Sequence, residues 1–390
     1  MSDTTDAVVA GHICLDLIPA FPQRQMPISE LFVPGRLIQM GDMLMSTGGT
    51  VSNTGQALHR LGARVKLMGK LGTDMLASAV VSILESNGAD CVMSQVHGEQ
   101  TSYSVVLAPS GHDRMFLHCP GANDTFTAED IDYNVVGGAR LFHFGYPTLM
   151  ARMFEREGEE LLGVMRLAKE TGATTSLDVS LPDARSPAGQ APWERILGRV
   201  LPYVDLFMPS VDEAMFMLAR QQWGAIQDPA SGRKLQASDV ELVAGRALAM
   251  GAGAAVIKCG TNGVFLASAG ADRVGQLGAA SPRDKEAWAD AVLWHEAISA
   301  GAVASALGAG DCAVAGFLAA LLRGESPERC LAIACAAGAQ NVTMMDALSG
   351  ITGWEKTSAL ATGEWEGLPC LADGAQGWCR DAENRVWRKS

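Results

Sequence analysis

Apolar runs of strand length alternate with helix-patterned segments along most of the chain, and this alternation restricts its fold more than any other feature. Ala7 to Leu17 contains Val8-Val9-Ala10-Gly11 and then Ile13-Cys14-Leu15-Asp16-Leu17, reading as one first strand covered on both faces. Further strands are read at Arg64–Leu71, Leu141–Gly145, Asp205–Pro209 and Ala254–Gly260, and at Thr174–Asp178, which ends in an acid. Between them, residues 51–61, 75–86, 155–171, 193–201, 210–220 and 240–250 read as helices. Strands and helices in alternation build a mostly parallel sheet with helices on both faces. The expected fold class is α/β, a three-layer α/β/α sandwich.

The rhythm breaks once. Cys91–Val96, Thr101–Leu107 and Arg114–His118 follow one another as strand-like pieces with no helix between them. Residues 19–47 carry Pro19, Pro22, Pro27 and Pro34 around the β-prone pieces Leu31-Phe32-Val33 and Arg36-Leu37-Ile38. Proline is tolerated at sheet edges and not at sheet centres. Together, about 18–47 and 91–120 are expected to form a small separate β-sheet, a lid. The Asn262-Gly263 turn between Ala254–Gly260 and Val264–Ala267 signals a hairpin. Residues 269–304 and 346–390 are weakly patterned, and the latter reads as a C-terminal extension of a single domain spanning 1–390.

Bulk properties narrow the function. Apolar residues make up 48% and charged residues 19%, which supports a large core and argues against long disorder. The net charge of −13 argues against nucleic acid or a membrane surface as partner. The chain's nine cysteines include no C-x-x-C pair, and several lie in apolar stretches, as buried thiols do. With a polar, acidic start at Met1 to Asp6 and no long uninterrupted apolar run, the expectation is a soluble cytoplasmic protein.

Leu307-Gly308-Ala309-Gly310-Asp311 runs directly into a helix with Val314, Phe317, Leu318, Leu321 and Leu322 at helical spacing. A glycine turn at a helix start directs unpaired N–H groups and the positive end of the helix dipole at one point, where an anion fits. A carboxylate in that position either caps the helix or has a chemical task, such as taking a proton from an attacking hydroxyl. Gly48-Gly49 opens a second helix that carries Asn53 in its first turn. Asp16, near the end of the first strand, is placed where open α/β sheets build their sites.

In this order, Gly48-Gly49 with Asn53, then Gly260-Thr261-Asn262-Gly263, then Gly308-Ala309-Gly310-Asp311 resembles the ribokinase-like (PfkB) carbohydrate kinases over roughly residues 7–350. That resemblance implies an ATP-dependent kinase acting on a sugar hydroxyl with Mg²⁺. It implies Asp311 as catalytic base and Gly308, Ala309 and Gly310 as the anion hole. Asp16, Gly48, Gly49, Asn53, Arg114 and Asn123 match substrate positions, and Lys258, Gly260, Gly263, Gly338 and Ala339 match the nucleotide side. Glu213 matches a residue linked to the metal, and the lid implies a homodimer. Three departures stand out, one being that the strand around Leu141–Gly145 has no acidic residue where some members hold the sugar with a Glu. Ser305-Ala306 replaces an Asp-Thr pair, which puts a monovalent-cation site in doubt, and Ser210 replaces the Asn of an Asn-x-x-Glu motif. The alternatives are a nucleoside kinase of the same superfamily and a sugar-binding or regulatory protein without turnover. A nicotinamide-dependent oxidoreductase lacks its first-turn glycine fingerprint.

Overall fold

The computed structural model describes residues 5–22, 27–112 and 115–389. Its centre is an eleven-stranded sheet. From one edge it runs through Asp90–Cys91, Val65–Met68, Thr5–Gly11, Ala139–Gly145, Thr174–Asp178, Leu206–Phe207 and Ala254–Lys258, all parallel. Val264–Ser268, Val292–His295, Val386–Lys389 and Trp378–Asp381 then continue it antiparallel. Both faces are covered. Ala7 and Val9 belong to one buried cluster and Val8 and Ala10 to the other, which is why the strand reads as a continuous apolar run.

One cluster holds the helices Thr50–Arg60, Ala309–Arg323 and Pro327–Asn341. The other holds Glu159–Glu170, Trp193–Val200, Val211–Leu218 and Ala237–Ala249. The alanine- and glycine-rich sequence of Pro327–Asn341 reflects close packing. A Cβ on Gly316 would come 2.8 Å from the Ile333 carbonyl oxygen, so the two helices approach almost backbone to backbone.

Ala7–Leu17 is two strands and not one. Thr5–Gly11 stays in the central sheet, whereas Cys14–Pro19 enters a separate four-stranded sheet in the order Met43–Gly48, Cys14–Pro19, Tyr103–Leu107, Met115–Cys119. The crossing is fixed by Asn123, whose side-chain amide donates to the Ile13 carbonyl at 2.9 Å and whose oxygen accepts the Ile13 N–H at 3.4 Å. This small sheet is the lid. Register sets its two faces: Asp16 pairs with Ser46 and Ser104, and Ser104 with His118, forming one row of polar side chains.

Several boundaries differ from the sequence reading. Residues 31–38 form no strand; a helical turn Ile28–Leu31 follows Pro27, a residue suited to a helix start and unable to donate to a sheet ladder. Cys91–Val96 is not part of the lid. Asp90–Cys91 lies beside Val65–Met68 and Ser94–Gln95 beside Lys70–Leu71, because the helix Met75–Ser86 returns the chain parallel to the strand it left. The helix expected from Glu155 begins at Glu159, after Arg156 and Glu157 take left-handed φ of 48° and 56°.

The weakly patterned segments belong to the domain. Residues 269–304 supply the strand Val292–His295 and Trp288, which packs edge-to-face on Phe317. The tail adds the helix Trp354–Thr362 and the hairpin Trp378–Asp381 and Val386–Lys389. Trp378 is buried with its ring 5.8 Å from Trp294 and 6.0 Å from Phe265. Among the described residues no helix is long and apolar enough to cross a membrane. Truncating Trp378 to alanine should therefore cost about 3 kcal/mol, the lower end for a buried aromatic, measured as a shift in the denaturant midpoint. An unchanged midpoint would mean the tail is not an integral part of the sheet.

Candidate active site

Parallel strands present their carboxyl ends along one edge of the sheet, and the strand order reverses between Thr5–Gly11 and Ala139–Gly145. Such a switch point opens a crevice beyond the strand ends. The helix Ala309–Arg323 points its N-terminus into this region, and Gly308 caps it with a left-handed φ of 72°. A Cβ on Gly308 would come 2.5 Å from the Ala347 carbonyl oxygen, so both backbone angle and space demand glycine there.

Two cavities meet at this helix start. The first, about 690 Å³, lies under the lid and is lined by Asp16, Gly48, Gly49, Asn53, Gly308 and Asp311, with His12, Cys14, Ser104, His118 and Tyr146. The second, about 280 Å³, is lined by Ala309 and Gly310 together with Lys258, Gly260, Gly263, Gly338 and Ala339. The two groups of residues that the sequence assigned to substrate and nucleotide thus separate into two cavities, and the turn Gly308-Ala309-Gly310-Asp311 is their shared wall. Arg114 lies outside the described residues. Asn123 is not on either cavity wall; it is wholly buried, its amide committed to Ile13.

Asp311 is buried and accepts three hydrogen bonds: from Asn53 Nδ2 at 3.0 Å, Thr54 Oγ1 at 3.2 Å and the Tyr146 hydroxyl at 2.6 Å. Asn53 therefore holds the carboxylate, and it also lines the cavity under the lid. Thr54 and Tyr146 were not singled out from sequence. Tyr146 follows directly on Gly145 at a strand's carboxyl end, a positional signal, but its backbone has a left-handed φ of 62° that no pattern forecasts. A non-glycine residue held in that region at a cavity wall is strain stored at a site.

On the second-cavity side, Lys258 Nζ donates to both oxygens of Asp178, at 2.7 and 2.8 Å. Burial works against the charged form of this lysine. The carboxylates of Asp178, Glu213 and Asp311 outweigh it and raise the pKa above the usual lysine value. Asp178 and Glu213 are pushed up by burial, an effect the Lys258 ammonium opposes. Asp178, an acid at the end of Thr174–Asp178, was visible in sequence as a strand terminus but had no assigned partner. Ser210 caps the helix Val211–Leu218, and Glu213 closes the capping box by accepting the Ser210 N–H at 2.6 Å. The Ser305 hydroxyl accepts the Leu307 N–H at 3.1 Å just ahead of the glycine turn.

On the lid side, burial raises the Asp16 carboxyl to about 6, against the hydrogen bonds from Cys14 and Ser104. His143, buried between Thr50 and Ser176, is held neutral by burial, with its pKa lowered to about 3.

A model of the pfkB family of carbohydrate kinases matches residues 4–352, and the chain belongs to that family. Over 190 residues it is 29% identical to fructokinase-1 of Zea mays, covering 48% of this chain and 54% of that protein. It is 28% identical over 210 residues to probable fructokinase-4 of Arabidopsis thaliana, covering 53% and 60%. The matched stretches thus span about half the length of these relatives. Among solved structures, Arabidopsis thaliana ribokinase complexed with ribose and ATP superposes with a TM-score of 0.69 at 18% identity, over 93% of this chain and 100% of that one. A fructokinase with bound ATP from Xylella fastidiosa gives 0.66 at 18% identity, over 91% and 97%. These structural matches show the ribokinase-like fold.

The ion pair between Lys258 and Asp178 gives a stability test. Lys258→Met leaves buried carboxylates without their cation and should cost about 3–5 kcal/mol. Adding Asp178→Asn should recover much of that loss, which chemical denaturation of the single and double variants measures. Equal losses in the two would refute the coupling.

Proposed function

We propose that the chain transfers the γ-phosphoryl group of ATP to a hydroxyl of a sugar. The observation that carries this reading is the single helix start shared by two cavities. Asp311 faces the one under the lid, and Ala309 and Gly310 face the other. A sugar in the first cavity and a nucleotide in the second would bring hydroxyl and γ-phosphate together at the glycine turn.

Positioning and charge neutralisation provide most of the catalysis of phosphoryl transfer. Asp311 accepts the proton of the attacking hydroxyl, held in aim by Asn53, Thr54 and Tyr146. The N–H groups of the Gly308–Gly310 turn, at the positive end of a fifteen-residue helix, stabilise charge on the transferring group. Asp16, Gly48 and Gly49 contact the sugar. Lys258, Gly260, Gly263, Gly338 and Ala339 face the nucleotide.

Magnesium fits this site by the chemistry of its donors. The carboxyl groups of Asp178, Glu213 and Asp311 gather around the ammonium of Lys258, an oxygen-donor set of the kind magnesium takes. Glu213 would be linked to the ion, which would supply charge neutralisation for the nucleotide. With Ser305 and Ala306 ahead of the glycine turn, the reading includes no monovalent cation. The curated relatives make fructose the first sugar to assay. Exposed Met43, Met45 and Leu117 on the lid support pairing of two copies through that sheet.

Asp311→Asn should lower kcat by about 10²–10⁴-fold, the span of general-base catalysis, with ATP binding retained by calorimetry. Full activity in that variant on a confirmed sugar would sink the assignment of the base. Asp16 supplies a pH test. With a pKa raised to about 6, its carboxylate is ionised and accepts a sugar hydroxyl above that pH, and protonation removes this acceptor below it. KM for the sugar should therefore rise as pH falls through about 6 in the native enzyme. In Asp16→Asn it should be high and insensitive to pH across the same range.

A further inference from the structure

The cavity under the lid contains a group that the phosphoryl-transfer chemistry does not use. His12 is 2% exposed, yet neither ring nitrogen has a hydrogen-bond partner. A buried polar side chain without partners calls for an explanation in terms of a ligand. Its ring lies 5.2 Å from that of His118 across the cavity. One ligand atom from each of His12, Cys14 and His118 lies within 4.8 Å of the others. Ser104 organises the set: its hydroxyl is 3.0 Å from His118 Nδ1 and 3.8 Å from Cys14 Sγ. Holding Nδ1 in this way leaves Nε2 of His118 as the nitrogen to ligate, the usual outer-shell arrangement of a metal-binding histidine.

We propose that His12, Cys14 and His118 form a binding site for a thiophilic divalent metal ion, Zn²⁺ above all, with the fourth coordination position open to the cavity. Two imidazoles and a thiolate suit zinc and not magnesium or calcium, which take oxygen ligands. A tetrahedral site with bonds of about 2.0–2.3 Å sets its ligand atoms roughly 3.5 Å apart. Reaching that spacing requires the cluster to close by about 1 Å, and His118, exposed on the lid strand Met115–Cys119, can supply the movement. Burial keeps His12 neutral, its pKa lowered to about 3, and so ready to ligate. Burial also keeps the Cys14 thiol protonated at rest. Metal binding forms the Zn–S bond and releases the thiol proton to solvent. A zinc ion there occupies the space assigned above to the sugar, so it would inhibit the kinase competitively with sugar. That consequence rests on the functional reading; the binding site does not.

Titration of the full chain with Co²⁺, without ATP or sugar, is the test. One equivalent should produce a near-ultraviolet sulfur-to-cobalt charge-transfer band with the visible bands of tetrahedral cobalt, and Zn²⁺ should abolish both. Cys14→Ser should lose the charge-transfer band, whereas Cys379→Ser, which alters the exposed cysteine, should keep it. His118→Asn, on the exposed lid, should weaken Co²⁺ binding at least tenfold and serves if Cys14→Ser fails to fold. No stoichiometric band, a band that survives Cys14→Ser, or unchanged affinity in His118→Asn would overturn the proposal. Because the signal needs no turnover, an inactive kinase assay with a positive cobalt titration refutes only the functional reading.

Discussion

Asp311 can be a buried carboxylate because donors from two other parts of the chain hold it. A buried carboxylate is costly unless hydrogen-bonded, and Asn53, Thr54 and Tyr146 supply those bonds. Their elements are thereby locked together: the helix Thr50–Arg60, the turn after Ala139–Gly145, and the helix Ala309–Arg323. Two helix N-termini then converge on the floor of the cavity under the lid. The left-handed backbone at Tyr146 is sustained by this arrangement, because the hydroxyl reaches Asp311 from that conformation.

A second constraint is electrostatic. Lys258 lies at the end of Ala254–Lys258, and Asp178 at the end of Thr174–Asp178, with the short strand Leu206–Phe207 between them in the sheet. Their ion pair crosses that strand and places a cation beside the second cavity. Glu213, held by its capping box with Ser210, adds negative charge to the same region. Replacement of the family's Asn by serine leaves the helix cap intact, since serine accepts the N-terminal N–H as well as asparagine does.

Much of this architecture was legible because burial leaves a local trace. Ala254–Lys258 read as a strand from its apolar run, and Ala309–Arg323 as a helix from its stripe and its flanking glycines. The lid was legible as a gap in the helix rhythm, and Tyr103–Leu107 and Met115–Cys119 fall where strands were read, but residues 31–38 and Cys91–Val96 were misplaced in it. A run such as Ala7–Leu17 is apolar whether it lies in one sheet or two; the chain leaves the first at Gly11, with φ of 120°, and Asn123 holds Ile13 where the second begins. Residues 346–390 went unread for a similar reason: a short edge hairpin buries one face of Trp378 against distant residues and leaves almost no periodicity.

By itself, the sequence determined the α/β class, the two-sided burial of the central strands and the glycine-framed turn ahead of Asp311, because these depend on neighbours within a few residues. Tertiary structure alone decided which side chains meet. Asn53 and Asp311 are 258 positions apart, and Lys258 and Asp178 are 80 apart. Nothing in local spacing links such pairs; sheet order and helix packing bring them together. The same packing left His12 buried and unpartnered beside Cys14 and His118, a juxtaposition created only when the lid folds over the strand ends.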